Sequence, residues 1–231
     1  MKKLLFLLLL TITTYGQYEP TTYKGKIYKH TYYTFSYVDA YKQPEWVYEH
    51  LLSSNLTDKF KRTDDFKYDP ICNSAKPEDY TGSGYDKGHL DPAEDNTFNI
   101  TAMNECFYMS NMSPQLPEFN RGIWKVLESQ VRYWAKKYGD IYVIDGGIFS
   151  DGMKAIGKNN VSVPTQFFKV IIKTKPTLST IGFIFLNKGS EDRLQKFAVP
   201  ISKIELLTHL KFNISNDIEN KIDTINFQFN K

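Results

Sequence analysis

GSGYDKGHLDPAEDN, residues 82–96, sets a single histidine, His89, among turn formers, acids and a lysine. A core histidine sits among apolar neighbours, and this run offers little beyond Leu90. Taken alone it reads as a polar loop, in which Gly88 permits a tight backbone approach and Lys87 supplies positive charge. A merely solvated histidine and a working one both fit that loop. An imidazole with an unperturbed pKa near ~6.5 is the natural general base at neutral pH, so the rest of the chain decides between them.

The clearest element lies downstream, in PEFNRGIWKVLESQVRYWAKKYG, residues 117–139. Trp124, Leu127, Val131, Trp134 and Tyr138 recur at three- and four-residue spacing, which predicts one helix over 118–138 with a single buried stripe. Pro117 and Glu118 suit its start, Lys136 and Lys137 its negative end, and Gly139 a left-handed cap. DIYVIDGGIF (140–149) reads as a strand closed by glycines, and FFKVIIKTKPTLSTIGFIFLN (167–187) as two strands joined by a proline turn. Residues 17–43, rich in tyrosine and threonine, favour strands. PEWVYEHLL (44–52) reads as a short helix opened by proline. Residues 64–88 are polar and turn-rich, as a surface wrap would be. Ser202 with Glu205 makes a capping-box pattern that would open a last helix through His209. Strands and helices are mixed and consecutive strands pair antiparallel, so the class is α+β.

Residues 1–16, MKKLLFLLLLTITTYG, have the layout of a signal peptide: Lys2 and Lys3, an apolar run, and Gly16 before Gln17 as the cut. The apolar run is well short of the ~20 residues of a spanning helix. Export to the periplasm or the cell exterior is therefore expected, with no membrane association of the mature chain. Residues 17–231, roughly 215, fit one domain. The formal charge is +3; setting aside Lys2 and Lys3, the 29 basic residues become 27 against 26 acidic, a net of +1. Overall charge thus gives no argument for a polyanionic partner, and any anion site must be local. Cys72 and Cys106 leave two readings open, one disulfide in an exported protein or two buried free thiols. His30, His50 and His209 lack Asp, Glu, Cys or His neighbours at metal spacing and are assigned packing or surface roles.

Several ordered blocks give His89 its context. Asp86-Lys87-Gly88-His89, with Leu90, Pro92, Ala93 and Asp95, is similar to a D-R-G-H signature followed by L-x-P-A-x-D. Residues 107–115, FYMSNMSPQ, are similar to F-Y-x-S-N-x-x-P-Q, and Asn120 with Trp124, Leu127 and Glu128 to N-x-x-x-W-x-x-L-E. Arg62 with Phe66 fits R-x-x-x-F, and residues 199–208 fit V-P-I-x-x-I-E-x-L-T. These blocks, spread over about 60–210, make the chain resemble the DNA/RNA non-specific endonucleases, which include mitochondrial endonuclease G and secreted bacterial nucleases.

The resemblance implies a ββα-metal nuclease fold, a central antiparallel sheet flanked by helices, and metal-dependent hydrolysis of DNA and/or RNA with low sequence specificity. It implies His89 as general base, Asn120 as the one side chain that binds Mg²⁺ directly, and Glu128 as the acid that holds metal-bound waters. Mn²⁺ or another divalent cation is an alternative to Mg²⁺. Arg62 matches a residue on the scissile phosphate. Lys87 stands where the family has arginine, a mobile point charge in place of a planar fork, so weaker transition-state stabilisation is expected. Asn111 falls in the S-N block, either beside the substrate or as a structural turn asparagine. Eight residues at ~100° each put Glu128 roughly 80° around the helix from Asn120, on the same general side. Without the family, Glu128 reads as an exposed helix residue paired with Lys125 or Arg132. Asp91, beside the base, is expected to raise the pKa of His89. Two other functions stay open, a catalytically weakened nucleic-acid-binding module of the same fold and a small-molecule phosphodiesterase. A homodimer is also left open.

Overall fold

A computed structural model describes residues 16–224 and 227–229, so the leader-like segment lies outside the described residues except for Gly16. The chain opens with strands β1 (Lys26–Lys29), β2 (Tyr33–Val38) and β3 (Gln43–Leu51). A long irregular stretch leads to β4 (Asp86–His89), helix α1 (Ile100–Cys106), β5 (Met112–Gln115) and helix α2 (Lys125–Tyr138). β6 (Ile141–Ile148), the short pair β7 (Ala155–Ile156) and β8 (Val161–Ser162), β9 (Gln166–Lys173), β10 (Ser179–Leu186) and β11 (Ala198–Val199) follow. Helices α3 (Ile201–Thr208) and α4 (Asn216–Glu219) complete the order.

Among the described residues, seven strands form one sheet in the order β1-β2-β3-β6-β9-β10-β11, every neighbouring pair antiparallel. Side chains alternate across it. Val47, Val143, Ile171 and Phe183 meet the apolar stripe of α2, whose Leu127, Val131 and Trp134 are all buried, as is Trp124 just before it. Trp46, Ile144, Val170 and Ile172 face the other way and pack with Ile201 and Ile204 of α3. The result is a mixed α+β fold with helices on both faces of a central antiparallel sheet. The sheet face under α2 is the one that carries the site.

Residues 44–51 form a central strand, not the helix expected of them. Both faces are buried, Trp46 and Tyr48 in one layer and Val47 and Leu51 in the other, which removes the polar–apolar alternation that marks a half-buried strand. Pro44 is tolerated because it pairs with Tyr37 where the register shifts at a bulge. His50 accordingly lies on β3, stacked on Tyr142 at 4.3 Å. The capping box at Ser202 does not form, since Pro200 is the N-cap and Ser202 lies inside α3. Glu205 closes the far end instead, accepting from the backbone N–H of Phe212 at 2.8 Å and from Lys211 Nζ at 2.7 Å. Gly139 ends α2 with a positive φ of 88°, but its ψ of −125° lies outside the expected left-handed cap. Cys72 and Cys106 are separate buried thiols, so no disulfide forms. No helix of the described residues is long and apolar enough to cross a membrane.

Candidate active site

β4 and β5 pair antiparallel in a two-stranded ribbon, Asp86 opposite Gln115 and His89 opposite Met112. Gly88 makes the pairing possible, because a Cβ there would lie 2.2 Å from Gln115 Oε1. The chain then passes into a π-helical turn, Phe119–Trp124, kinked at Gly122, before α2 runs regularly. Such turns often mark functional sites in helices. Two strands and the crossing helix make a ββα unit, clamped where Trp124 Nε1 donates to the His89 carbonyl at 3.3 Å. Asp86 ties the other end, accepting from Asn120 Nδ2 at 2.9 Å and from both arms of Arg121 at 2.8 and 2.7 Å. Burial alone would raise the Asp86 pKa, but the hydrogen bonds from Arg121 and Asn120 hold it below the ordinary carboxylate value.

His89 is not in a solvated loop. It ends β4 and is buried, its ring 4.9 Å from Phe107 and 5.6 Å from Phe66. Burial, and then the charge of Arg62, lower its pKa to about 3. The shift runs opposite to the rise expected from Asp91, because the Asp91 carboxyl accepts from Asn96 Nδ2 at 2.8 Å and is itself raised to about 7 by burial. The imidazole is therefore neutral at physiological pH, and its Nε2 is buried without a hydrogen-bond partner among the described residues. Each aromatic wall carries a cation: Lys87 Nζ lies 4.8 Å over the Phe66 ring and Arg62 5.3 Å over Phe107. Arg62 also pairs with Asp64 at 2.6 Å and approaches Glu94 at 3.7 Å.

His89, Phe66, Arg62, Lys87 and Glu94 line one open cleft of about 500 Å³, together with Asn120, Lys125 and Glu128. Glu128 is buried, contrary to an exposed helix residue, and makes no hydrogen bond or ion pair among the described residues. Burial pushes its pKa up to about 8, against the pull of Lys169 and Arg132. Lys169 comes from the sheet face below, ion-paired with Asp145 and 4.6 Å over the Trp124 ring.

The donor set suits a hard, well-hydrated cation. No group of three or more His, Cys, Asp or Glu side chains forms a metal cage among the described residues. Asn120 spends its Nδ2 on Asp86, which leaves its Oδ1 without a hydrogen bond among the described residues, and Glu128 adds a buried carboxyl, only partly offset by Lys169 and Arg132, to the same cleft. One neutral amide oxygen and one acid in an open cleft fit Mg²⁺, which keeps most of its waters.

A family profile described as DNA/RNA non-specific endonuclease matches residues 13–218. The chain belongs to that family. Among its relatives, the mitochondrial nuclease EXOG of Homo sapiens is 34% identical over 222 residues, covering 84% of this chain and 60% of the relative. Mitochondrial endonuclease G of Homo sapiens is 35% identical over 185 residues, covering 72% and 62%. The chain thus spans about 60% of the length of those mitochondrial relatives. A crystal structure of the EndoG/EndoGI complex superposes with a TM-score of 0.78 at 30% identity, over 85% of this chain and 89% of that one. The fold is accordingly that of a ββα-metal nuclease.

Of the residues expected in the site, His89, Arg62, Lys87, Asn120 and Glu128 converge on the cleft. Asn111 does not. It is fully buried, accepting from the Asp91 N–H at 2.9 Å and donating to the carbonyls of Asp91 and Cys106 at 2.8 Å, so it braces the loop after His89 and lies outside the cleft lining. His30 packs as expected, 2.8 Å from Asp69 and stacked on Tyr108. Sequence reasoning missed Glu94, Arg121 and Lys125. A signal for two of them was present, since Arg121 follows Asn120 directly and Lys125 lies one helical turn on.

Proposed function

We propose that this chain is a metal-dependent endonuclease that hydrolyses phosphodiester bonds of DNA and RNA with little regard to sequence. The observation that carries the reading is the buried, neutral His89, with an unpartnered Nε2, in a cleft shared with Arg62, Lys87, Asn120 and Glu128. His89 takes the proton of the attacking water. With a pKa of about 3 in the free protein it is a weak base. An arriving phosphodiester brings negative charge beside it and draws Arg62 onto the phosphate, and both changes raise its proton affinity in the complex. Arg62 and Lys87 meet the phosphate oxygens, where preorganised positive charge is most effective as charge builds up. Asn120 Oδ1 would hold Mg²⁺ and Glu128 would orient its waters. The ion, when bound, supplies charge neutralisation at the phosphate and the leaving oxygen. The Asp86 bridge to Asn120 and Arg121 fixes the amide so that its oxygen, and not its NH₂, serves the cation.

Recognition through phosphates and charge gives low sequence specificity. The weakened-module alternative rests on Lys87, yet Lys87 keeps its cation at the cleft beside His89. Export remains part of this proposal, carried by the leader-like residues 1–16. The reading is tested by digesting genomic DNA, RNA and bis(p-nitrophenyl) phosphate side by side with Mg²⁺. Cleavage of both polymers, stopped by EDTA, supports it; turnover of the small ester alone would establish a small-molecule phosphodiesterase instead. Calorimetric titration with Mg²⁺ should show weaker binding to Asn120→Ala than to the wild type.

A further inference from the structure

A second, larger hollow of about 1080 Å³ lies beside the catalytic cleft. The two share Arg121 and Lys125, so a chain laid through the cleft continues into this groove without leaving the surface. One wall is the outer side of α2, where Val126 and Ser129 follow Lys125. The other is residues 190–195, which lead into the 3-10 turn Leu194–Phe197 and carry Arg193.

The charges of the groove are unevenly committed. Arg121 is bound by Asp86, and Asp192 by Lys196. Lys125 and Arg193 form no ion pair among the described residues, and the one other lining acid is Glu191. Between the cations the surface is apolar: Ile123 and Leu194 are buried beneath it, and Val126 is 52% exposed on the helix. At Gly122 a Cβ would meet nothing within 4 Å, so the backbone there is open to a ligand. Cations set along an apolar channel are the chemistry of a single nucleic-acid strand, with phosphates on the cations and base or sugar faces on the apolar surface.

Resting on the nuclease reading above, the geometry points to this groove as a second substrate subsite, which holds the nucleotides flanking the scissile phosphate through Lys125 and Arg193. Affinity should then depend on strand length, because a strand must be long enough to leave the cleft and enter the groove.

The test measures binding of fluorescein-labelled DNA trimer and 12-mer single strands by anisotropy in EDTA, so that binding is read apart from cleavage. The wild type should bind the 12-mer at least about tenfold tighter than the trimer. Arg193→Ala and Val126→Asp, neither in the catalytic machinery, should weaken the 12-mer about five- to tenfold and leave the trimer unchanged. For Arg193→Ala the slope of log K against log salt should fall by about one, the mark of one lost phosphate contact. Thermal melting of both variants confirms folding. An unchanged 12-mer Kd and salt slope, or equal weakening on both strands, would overturn the subsite. Mg²⁺-dependent cleavage by the wild type, run in parallel, reports separately on the nuclease reading.

Discussion

Glu94 stands at the mouth of the cleft, 3.7 Å from the guanidinium of Arg62, a negative charge where a phosphate is to arrive. The phosphate must displace it, and an exposed pair of this kind is worth up to about 1 kcal/mol. Glu94→Gln should therefore lower KM for DNA by up to about fivefold with kcat unchanged; steady-state kinetics at low salt would show it, and an unchanged or raised KM counts against the competition. At this scale the sequence was most legible. His89, Lys87, Asn120 and Glu128 were recognisable because a motif records side-chain identity at fixed intervals. The environment was not. The rings that bury His89 come from Phe66 and Phe107, well outside its own segment, and they turn an apparently solvated histidine into a neutral, desolvated one.

The β4–β5 ribbon and the start of α2 hold these groups in register, and Gly88 is where the ribbon is tightest. A methyl there would strike the buried side chain of Gln115. Gly88→Ala should cost about 1–3 kcal/mol through overpacking and lower kcat as His89 shifts. Urea unfolding and single-turnover cleavage measure the two effects, and a variant normal in both would refute the close approach. Element types followed from periodicity wherever one face met solvent, as in α2. They failed in β3, where Trp46 and Val47 are buried on opposite faces and no period survives. The irregular entry to α2 was equally hidden. A π turn at Phe119–Trp124 leaves the apolar stripe almost intact while it changes the angle between Asn120 and Glu128.

Across the whole molecule, ionisable groups from distant segments gather on the sheet face beneath α2. Glu49, Asp145 and Lys169 rise from the sheet, Asp91 and Asp95 from the loop after His89, and Glu128 and Arg132 from the helix. Burial raises the pKa of all five acids, with Lys169 and Arg132 as partial compensation. These pairings cross strands, as in Asp145 opposite Lys169, so no local pattern could announce them. Asp91 gives the sign of their effect. Its folded pKa of about 7 lies above its unfolded value near ~3.9, so the fold holds this proton more tightly than the open chain does. The associated stabilisation is full below about pH 4 and is lost as pH rises through 7. Asp91→Asn keeps an acceptor for Asn96 and removes the charge. It should melt higher than the wild type at pH 8, by ~2–4 °C per kcal/mol, with the gain gone at pH 4; a gain independent of pH contradicts the shift. The central claim, that His89 is the base of a metal-dependent nuclease, is tested most directly by the rate at which supercoiled plasmid DNA is nicked in Mg²⁺. His89→Ala, folded and melting near the wild type, should nick at least ~10²-fold more slowly, whereas nicking at the wild-type rate would contradict the assignment.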